Sequence, residues 1–438
     1  MSPDPVPRPP RRRLVRVAAL VLGLAAALVL AEVATRVALA RSGKPFDSTA
    51  AAELVGTLHS SLVDAAPRVR RIDEAAAQDV HSQGQRLHPY YGYDFQGYLN
   101  NLPTELAYHR SPEAEKSYDV VILGGSVAMS FLPDGVEALT AALRADPELA
   151  TRPIMVLGHG RAAHKAPQQT LVLQYLLCAG AKPDAVIALD GFNEVAVGFQ
   201  NERQGVAGSY PCGNIWLNLA GAVASDPPSL AAAMELRTRQ LAVIDAAEDY
   251  ARWDLSRFAV TSWLGLRRIE SLRTGASAAA LELERRVASS QAFTALSGPP
   301  NSGTDEQRIA RLVRAWREDG LALHALCSAR GIDFLDVLQP TALLPGTKKL
   351  TAREQKGNVA NESWQTGVGL GYPLLESAGA ELAAAGVPYL DATRVFADVE
   401  EALYFDTCHF NARGYAVIAT EIGRALVAAR ARARSADK

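Results

Sequence analysis

Three short, almost wholly apolar runs constrain this chain more than any other feature. They are Tyr118–Leu123 (YDVVIL), Ile154–Leu157 and Asp184–Leu189 (DAVIAL), separated by helical patterning over about 133–145 and 167–180. A strand apolar on both faces needs cover on both, and strands joined by helical crossovers run parallel. The alternation resumes with a helix at about 305–329, a strand at Asp333–Leu338, another near Tyr389–Leu390 and a last helix at about 411–432. The expected fold is therefore α/β, with a parallel sheet between helical layers.

Residues about 200–303 break this alternation. Gly- and Pro-rich loops there flank a charged, Ala-rich helical stretch from about 228 to 294. It reads as a helical insertion and a candidate cap over the sheet edge. Residues 41–115 read as an irregular lead-in packed on the main domain, with turn residues among aromatics at His88-Pro89-Tyr90-Tyr91-Gly92-Tyr93. With 45 Lys plus Arg against 47 Asp plus Glu, no global basic field exists, so a nucleic-acid partner has no electrostatic support. Cys178, Cys212, Cys327 and Cys408 are too scattered for a disulfide scaffold and form no C-x-x-C pair. Cys408 reads either as a buried thiol or as a partner for Cys212.

At the N-terminus, Arg8, Arg11, Arg12, Arg13 and Arg16 precede an uncharged run from Val17 to Ala31. The run is short for a full span. Val33, Val37 and Leu39 extend its apolar character to Ala40, and charges near a helix end can snorkel. The expectation is a cytoplasmic tail at 1–13, a transmembrane signal-anchor at 14–40 and an extracytoplasmic remainder, because arginine clusters stay cytoplasmic. A cleaved signal peptide competes, since Ala38-Leu39-Ala40 has the small-x-small form of a cleavage site. Glu32 and Arg36 inside that region count against processing.

Chemistry-bearing residues gather at the expected strand ends, where open parallel sheets place their ligands. The first strand runs into Gly124-Gly125-Ser126, whose glycines permit a tight turn and a close backbone approach. Position 128 is Ala, so this is not the G-x-S-x-G elbow. The second strand ends in Leu157-Gly158-His159-Gly160 and the third in Asp190-Gly191-Phe192-Asn193-Glu194. The Gly158 N–H and the Asn193 amide are candidate donors to a developing oxyanion, with Gly160 the alternative to Gly158. Phe405-Asp406-Thr407-Cys408-His409 precedes the last helix. In a tight turn that spacing brings carboxylate and imidazole to one side, which leaves the second ring nitrogen free to take a proton from a serine. Each motif alone is weak; a Gly-Ser loop, a turn Asn and an Asp-x-x-His pair are all common.

In this order the four blocks resemble the SGNH (GDSL-type) hydrolase superfamily. Gly124-Gly125-Ser126 matches the first block with Gly in place of Asp, and Gly158 the second. Gly191-Phe192-Asn193-Glu194 matches the third with Glu in place of the final Asp, and Asp406-Thr407-Cys408-His409 matches the last. The resemblance covers about 115–200 and 305–432. It implies a flavodoxin-like three-layer α/β/α domain over 116–432, interrupted by the insertion at about 200–303 and followed by a tail at 433–438. It implies Ser126 as nucleophile, His409 as general base and then acid, and Asp406 as its orienter. The oxyanion hole would combine the Ser126 and Gly158 N–H groups with the Asn193 amide, and neither metal nor cofactor is implied.

The N-terminal anchor, the segment from His88 to Tyr93, and Leu338-Gln339-Pro340-Thr341 followed by Lys348-Lys349-Leu350-Thr351 are similar to a bacterial membrane-anchored branch of that superfamily. The implied activity is an extracytoplasmic serine esterase acting on an O-acyl ester, such as an acetyl group on an envelope glycan or lipid. The same residues would serve an O-acyltransferase acting on a cell-envelope polysaccharide. A non-catalytic glycan-binding protein would keep the fold without needing the residues.

Overall fold

The structure, a computed structural model, describes residues 11–43, 45–65, 84–221, 227–289, 296–299, 301–358 and 360–436. Residues 1–10 of the expected tail, 66–83 of the lead-in, and 222–226 and 290–295 of the insertion lie outside them.

Residues 69–227 and 287–438 form one compact unit. Its first strands, β1 (Gln85–His88) and β2 (Gly92–Phe95), make an antiparallel hairpin. A helix, Gln96–Tyr108, follows, so the lead-in is more regular here than its turn-rich sequence suggests. The central sheet holds β3 (Tyr118–Gly124), β4 (Ile154–Gly160), β5 (Ala185–Asp190), β6 (Asp333–Leu338) and β7 (Tyr389–Asp391) in the order β4-β3-β5-β6-β7. All pairs are parallel. β3 and β5 are buried at every position, as strands apolar on both faces require.

The step from β3 to β4 runs toward one edge, and all later steps run toward the other. Right-handed crossovers therefore put helix Phe131–Leu143 on one face and helices Gln168–Ala179, Asp305–Ser328 and Glu362–Ala384 on the opposite face. The last helix, Ala412–Ala436, packs on Phe131–Leu143, and Asp305–Ser328 packs on Glu362–Ala384. The strand order reverses at β3, so the carboxyl ends of β3 and β5 flank the switch point where such sheets hold ligands.

Helix Glu362–Ala384 was not legible from its pattern, because Gly367, Gly369, Gly371 and Pro373 read as breakers. Packing explains Gly367 and Gly371. A Cβ at Gly367 would strike the Val195 carbonyl, and one at Gly371 the Val195 side chain. The glycines let this helix lie directly on the chain that follows β5.

Residues 1–68 and 228–286 form a second compact unit. Helices Arg11–Arg41 and Ser48–Ala65 belong to it, as do Pro227–Arg252 and Ala259–Ser289 for the most part. Val55, Val243, Ala246, Ala247, Tyr250 and Ile269 share its small core. Glu32 accepts the N–H groups of Ala259 (2.9 Å) and Val260 (3.0 Å), capping the second long helix. The expected insertion is thus not an excursion of the sheet domain alone: its long helices share a core with the N-terminal ones. Amphipathic patterning shows that a helix needs a partner but not which one.

The expected membrane span at 14–40 falls within helix Arg11–Arg41. Among the described residues no helix is long and apolar enough to cross a membrane. The side chains of residues 11–18, 21, 24 and 25 lie outside the description, and those from 14 onward fall in that span.

Gly124 has φ 139°, and a Cβ there would collide with the Leu189 carbonyl of the neighbouring strand. Gly124→Ala is expected to lower unfolding free energy by about 2–3 kcal/mol, measured by urea denaturation.

Candidate active site

β3 ends at Gly124, and Ser126 opens a one-turn helix, Ser126–Met129. Its partner comes from a turn closed by the Phe405 N–H donating to the His409 carbonyl at 2.9 Å. Inside that turn, Asp406 Oδ1 accepts the N–H groups of Cys408 and His409, both at 2.9 Å. The carboxylate is thereby fixed by backbone before it meets the imidazole. His409 Nδ1 lies 2.8 Å from Asp406 Oδ2, and His409 Nε2 lies 2.7 Å from Ser126 Oγ. A carboxylate only accepts, so Nδ1 carries the proton and Nε2 is left to accept from the Ser126 hydroxyl. Asn411, whose Oδ1 accepts the Gly414 N–H at 3.0 Å, caps the last helix just beyond and anchors the turn.

The charges follow this geometry. Burial works to raise the Asp406 carboxyl, but His409 and the two backbone donors outweigh it and bring it to about 2. Burial likewise opposes charge on His409. Its bonds to Asp406 and the nearby Cys408 sulfur win, and the imidazole sits above its ordinary value.

On the other side of Ser126, β5 ends at Asp190. Gly191, at φ 107°, turns the chain into the helix Phe192–Val195. Asn193 Nδ2 donates to the His164 carbonyl at 2.9 Å. Both groups crowd Gly125, where a Cβ would strike Asn193 Nδ2. The departure from Asp to Gly at this position thus opens the space that the amide occupies. The second departure, Glu194, also has a use. Its longer side chain accepts from Gly191 N (2.7 Å), Ala166 N (3.0 Å) and Gln169 Nε2 (3.1 Å), tying the second and third blocks together.

The structure does not bring Gly158 to this place. It pairs with Ile122, whereas the strand edge beside the nucleophile turn is the Gly124–Gly160 pair. A Cβ at Gly158 would meet the Leu132 side chain, so its glycine serves helix packing. β4 is longer than its apolar core suggests, since His159 and Gly160 keep pairing. Gly160 is at the edge, but it lies against the backbone of Ala128 and Met129. The loop facing Asn193 is Arg161–His164, in which Ala163 adopts a left-handed conformation, φ 60°. Nothing in the sequence marks Ala163, because an alanine carries no sign of that conformation. His159, next to Gly158, is buried with Nε2 2.6 Å from Glu105 Oε1. Cys212 and Cys408 are both free.

Asp406, Cys408 and His409 have ligand atoms within 4.8 Å of one another, a group that could hold a metal. Both His409 nitrogens are, however, engaged by Asp406 and Ser126.

No family model and no curated protein matches the chain. Among solved structures, the chain is similar to a variant of an acetyl-xylooligosaccharide esterase from Geobacillus stearmophilus, at 12% identity over 70% of this chain and 94% of that one, TM-score 0.33. It is also similar to a GDSL-like lipase from Bacteroides thetaiotaomicron, at 10% identity over 75% of this chain and 96% of that one, TM-score 0.35.

The base form of His409 is available only above its raised pKa. A reaction that uses His409 as its base should therefore rise with pH, with its midpoint above the 6.5 of an ordinary imidazole. Asp406→Asn removes the carboxylate that raises it, so the rise should move to lower pH while the plateau falls. A pH–rate profile of kcat/KM for both proteins checks this.

Proposed function

We propose that this chain is a serine hydrolase of the SGNH (GDSL-type) superfamily that cleaves an O-acyl ester through an acyl-serine. The observation that carries the reading is the unbroken relay from Asp406 through His409 to Ser126, at 2.8 and 2.7 Å, on the carboxyl edge of a parallel sheet. Ser126 Oγ attacks the ester carbonyl as His409 Nε2 takes its proton, and Asp406 stabilises the imidazolium. Negative charge develops on the carbonyl oxygen, facing the Ser126 N–H and the Asn193 amide, whose Nδ2 is held by the His164 carbonyl of the Arg161–His164 loop. The intermediate collapses, and His409 returns its proton to the leaving alcohol. Water, deprotonated by His409, then attacks the acyl-serine, releasing the acid and restoring Ser126.

We place this chemistry outside the cytoplasmic membrane, on an acylated glycan or lipid. The arginine cluster ahead of the apolar N-terminal run supports that location. So do Leu20, Leu22, Leu28 and Leu30, exposed on helix Arg11–Arg41. The substrate class rests on the sequence resemblance.

p-Nitrophenyl acetate tests the activity in the full-length chain. Ser126→Ala should abolish hydrolysis with unchanged circular dichroism, and His409→Ala should nearly do so. Asn193→Ala should lose roughly 10²-fold in kcat. Hydrolysis that survives Ser126→Ala would sink the reading.

A further inference from the structure

The aromatic segment from His88 to Phe95 has no part in the chemistry above, yet its side chains are built into the loop that follows β4. Tyr93, fully buried, donates its hydroxyl to the Ala162 carbonyl at 2.8 Å. The Tyr93 carbonyl lies 3.1 Å from His164 Nε2, and Gln168 Nε2 donates to the Tyr91 carbonyl at 2.7 Å. A carbonyl only accepts, so His164 Nε2 bears the proton. Burial and the nearby Arg161 guanidinium hold this imidazole down to about 3, so it stays neutral at working pH.

Beneath these bonds lies a buried ion pair. Arg161 Nε donates to Asp94 Oδ1 at 2.5 Å, and Tyr91 Oη donates to Asp94 Oδ2 at 2.6 Å. The guanidinium lies 3.4 Å from the Tyr98 ring centroid, and its Nη1 donates to the Gly160 carbonyl at 3.2 Å. The Arg161 N–H continues the sheet ladder by donating to the Gly124 carbonyl at 3.0 Å. Arg161 is thus held at once by the hairpin and by the strand that delivers Ser126.

The loop Arg161–His164 is therefore gripped at three successive points: the Arg161 side chain, the Ala162 carbonyl and the His164 ring. Between the last two sits Ala163 in its left-handed conformation, and the His164 carbonyl receives Asn193 Nδ2. A left-handed non-glycine residue is costly and persists only where its surroundings impose it.

We infer that the β1–β2 hairpin is a positioning clamp: through Tyr93 and the Asp94–Arg161 pair it imposes the Ala163 conformation and sets the oxyanion-binding arm against Ser126. The inference rests on the hydrolase reading. It makes Tyr93 and Asp94 positioning residues, neither of which touches the Ser126–His409–Asp406 relay.

Tyr93→Phe keeps the ring that fills the core and removes only the hydroxyl. With p-nitrophenyl acetate and the full chain, kcat is expected to fall about tenfold or more, with KM within about twofold and the pH midpoint of the acid limb unmoved. The loss should shrink in an Asn193→Ala background, because both changes act on one arm. Asp94→Asn, checked for folding by circular dichroism, is the second variant and should show the same pattern. A folded Tyr93→Phe protein with wild-type kcat would overturn the clamp. So would a loss carried in KM, or one fully additive with Asn193→Ala. Wild-type hydrolysis that survives Ser126→Ala would instead overturn the hydrolase reading, and the clamp with it.

Discussion

At Gly124 and Gly125 the chain approaches its neighbours more closely than any side chain permits. Gly124 leaves room for the Leu189 carbonyl of β5, and Gly125 leaves room for the Asn193 amide. These two absences let β3 and β5 deliver Ser126 and Asn193 to one point. The reversal of strand order at β3 makes that point a crevice rather than a flat sheet edge. Everything else around the site has the task of bringing the remaining groups to it.

Two devices do so, and they work by different physics. Asp406 is held by backbone: two N–H donors fix one oxygen before the other meets His409. The Arg161–His164 loop beside Asn193 is held by side chains from a distant hairpin, through a buried ion pair and a tyrosine hydroxyl. The first arrangement is local and compact. The second spans some seventy residues of sequence (Tyr93 to Ala162), and breaking a buried ion pair on one side typically costs about 3–5 kcal/mol, so it resists rearrangement.

Much of this was legible in the sequence, for a physical reason. Strands apolar on both faces have few alternatives to the middle of a covered parallel sheet, so β3, β5 and β6 lie within a residue or two of their apolar runs. Ser126 and Asn193 lie just past the carboxyl ends of β3 and β5, and Asp406 and His409 in the turn before the last helix, where their motifs put them, and their catalytic roles are what the experiments must decide. What escaped reading depended on contacts far away in sequence. Helix Glu362–Ala384 carries Gly367 and Gly371 because it packs on Val195 there. Gly158 looked like a strand-end glycine because nothing marks His159 and Gly160 as paired. Ala163 differs from any other alanine only in one backbone dihedral, and the hairpin that bonds its neighbours shows in the sequence only as an aromatic lead-in. The long helices of the insertion announced their need for a partner but not that the N-terminal helices supply it.

If His409 and Asp406 make Ser126 a nucleophile, the hydroxyl reacts where other serines do not. The most direct test is covalent. The full-length protein would be treated with a serine-directed organophosphonate and the adduct located by peptide mass spectrometry, with Ser126→Ala as the control. The account predicts a single adduct on Ser126 that is absent from the variant. A folded protein that stays unlabelled by a probe small enough to enter, or that is labelled elsewhere and not on Ser126, would contradict it.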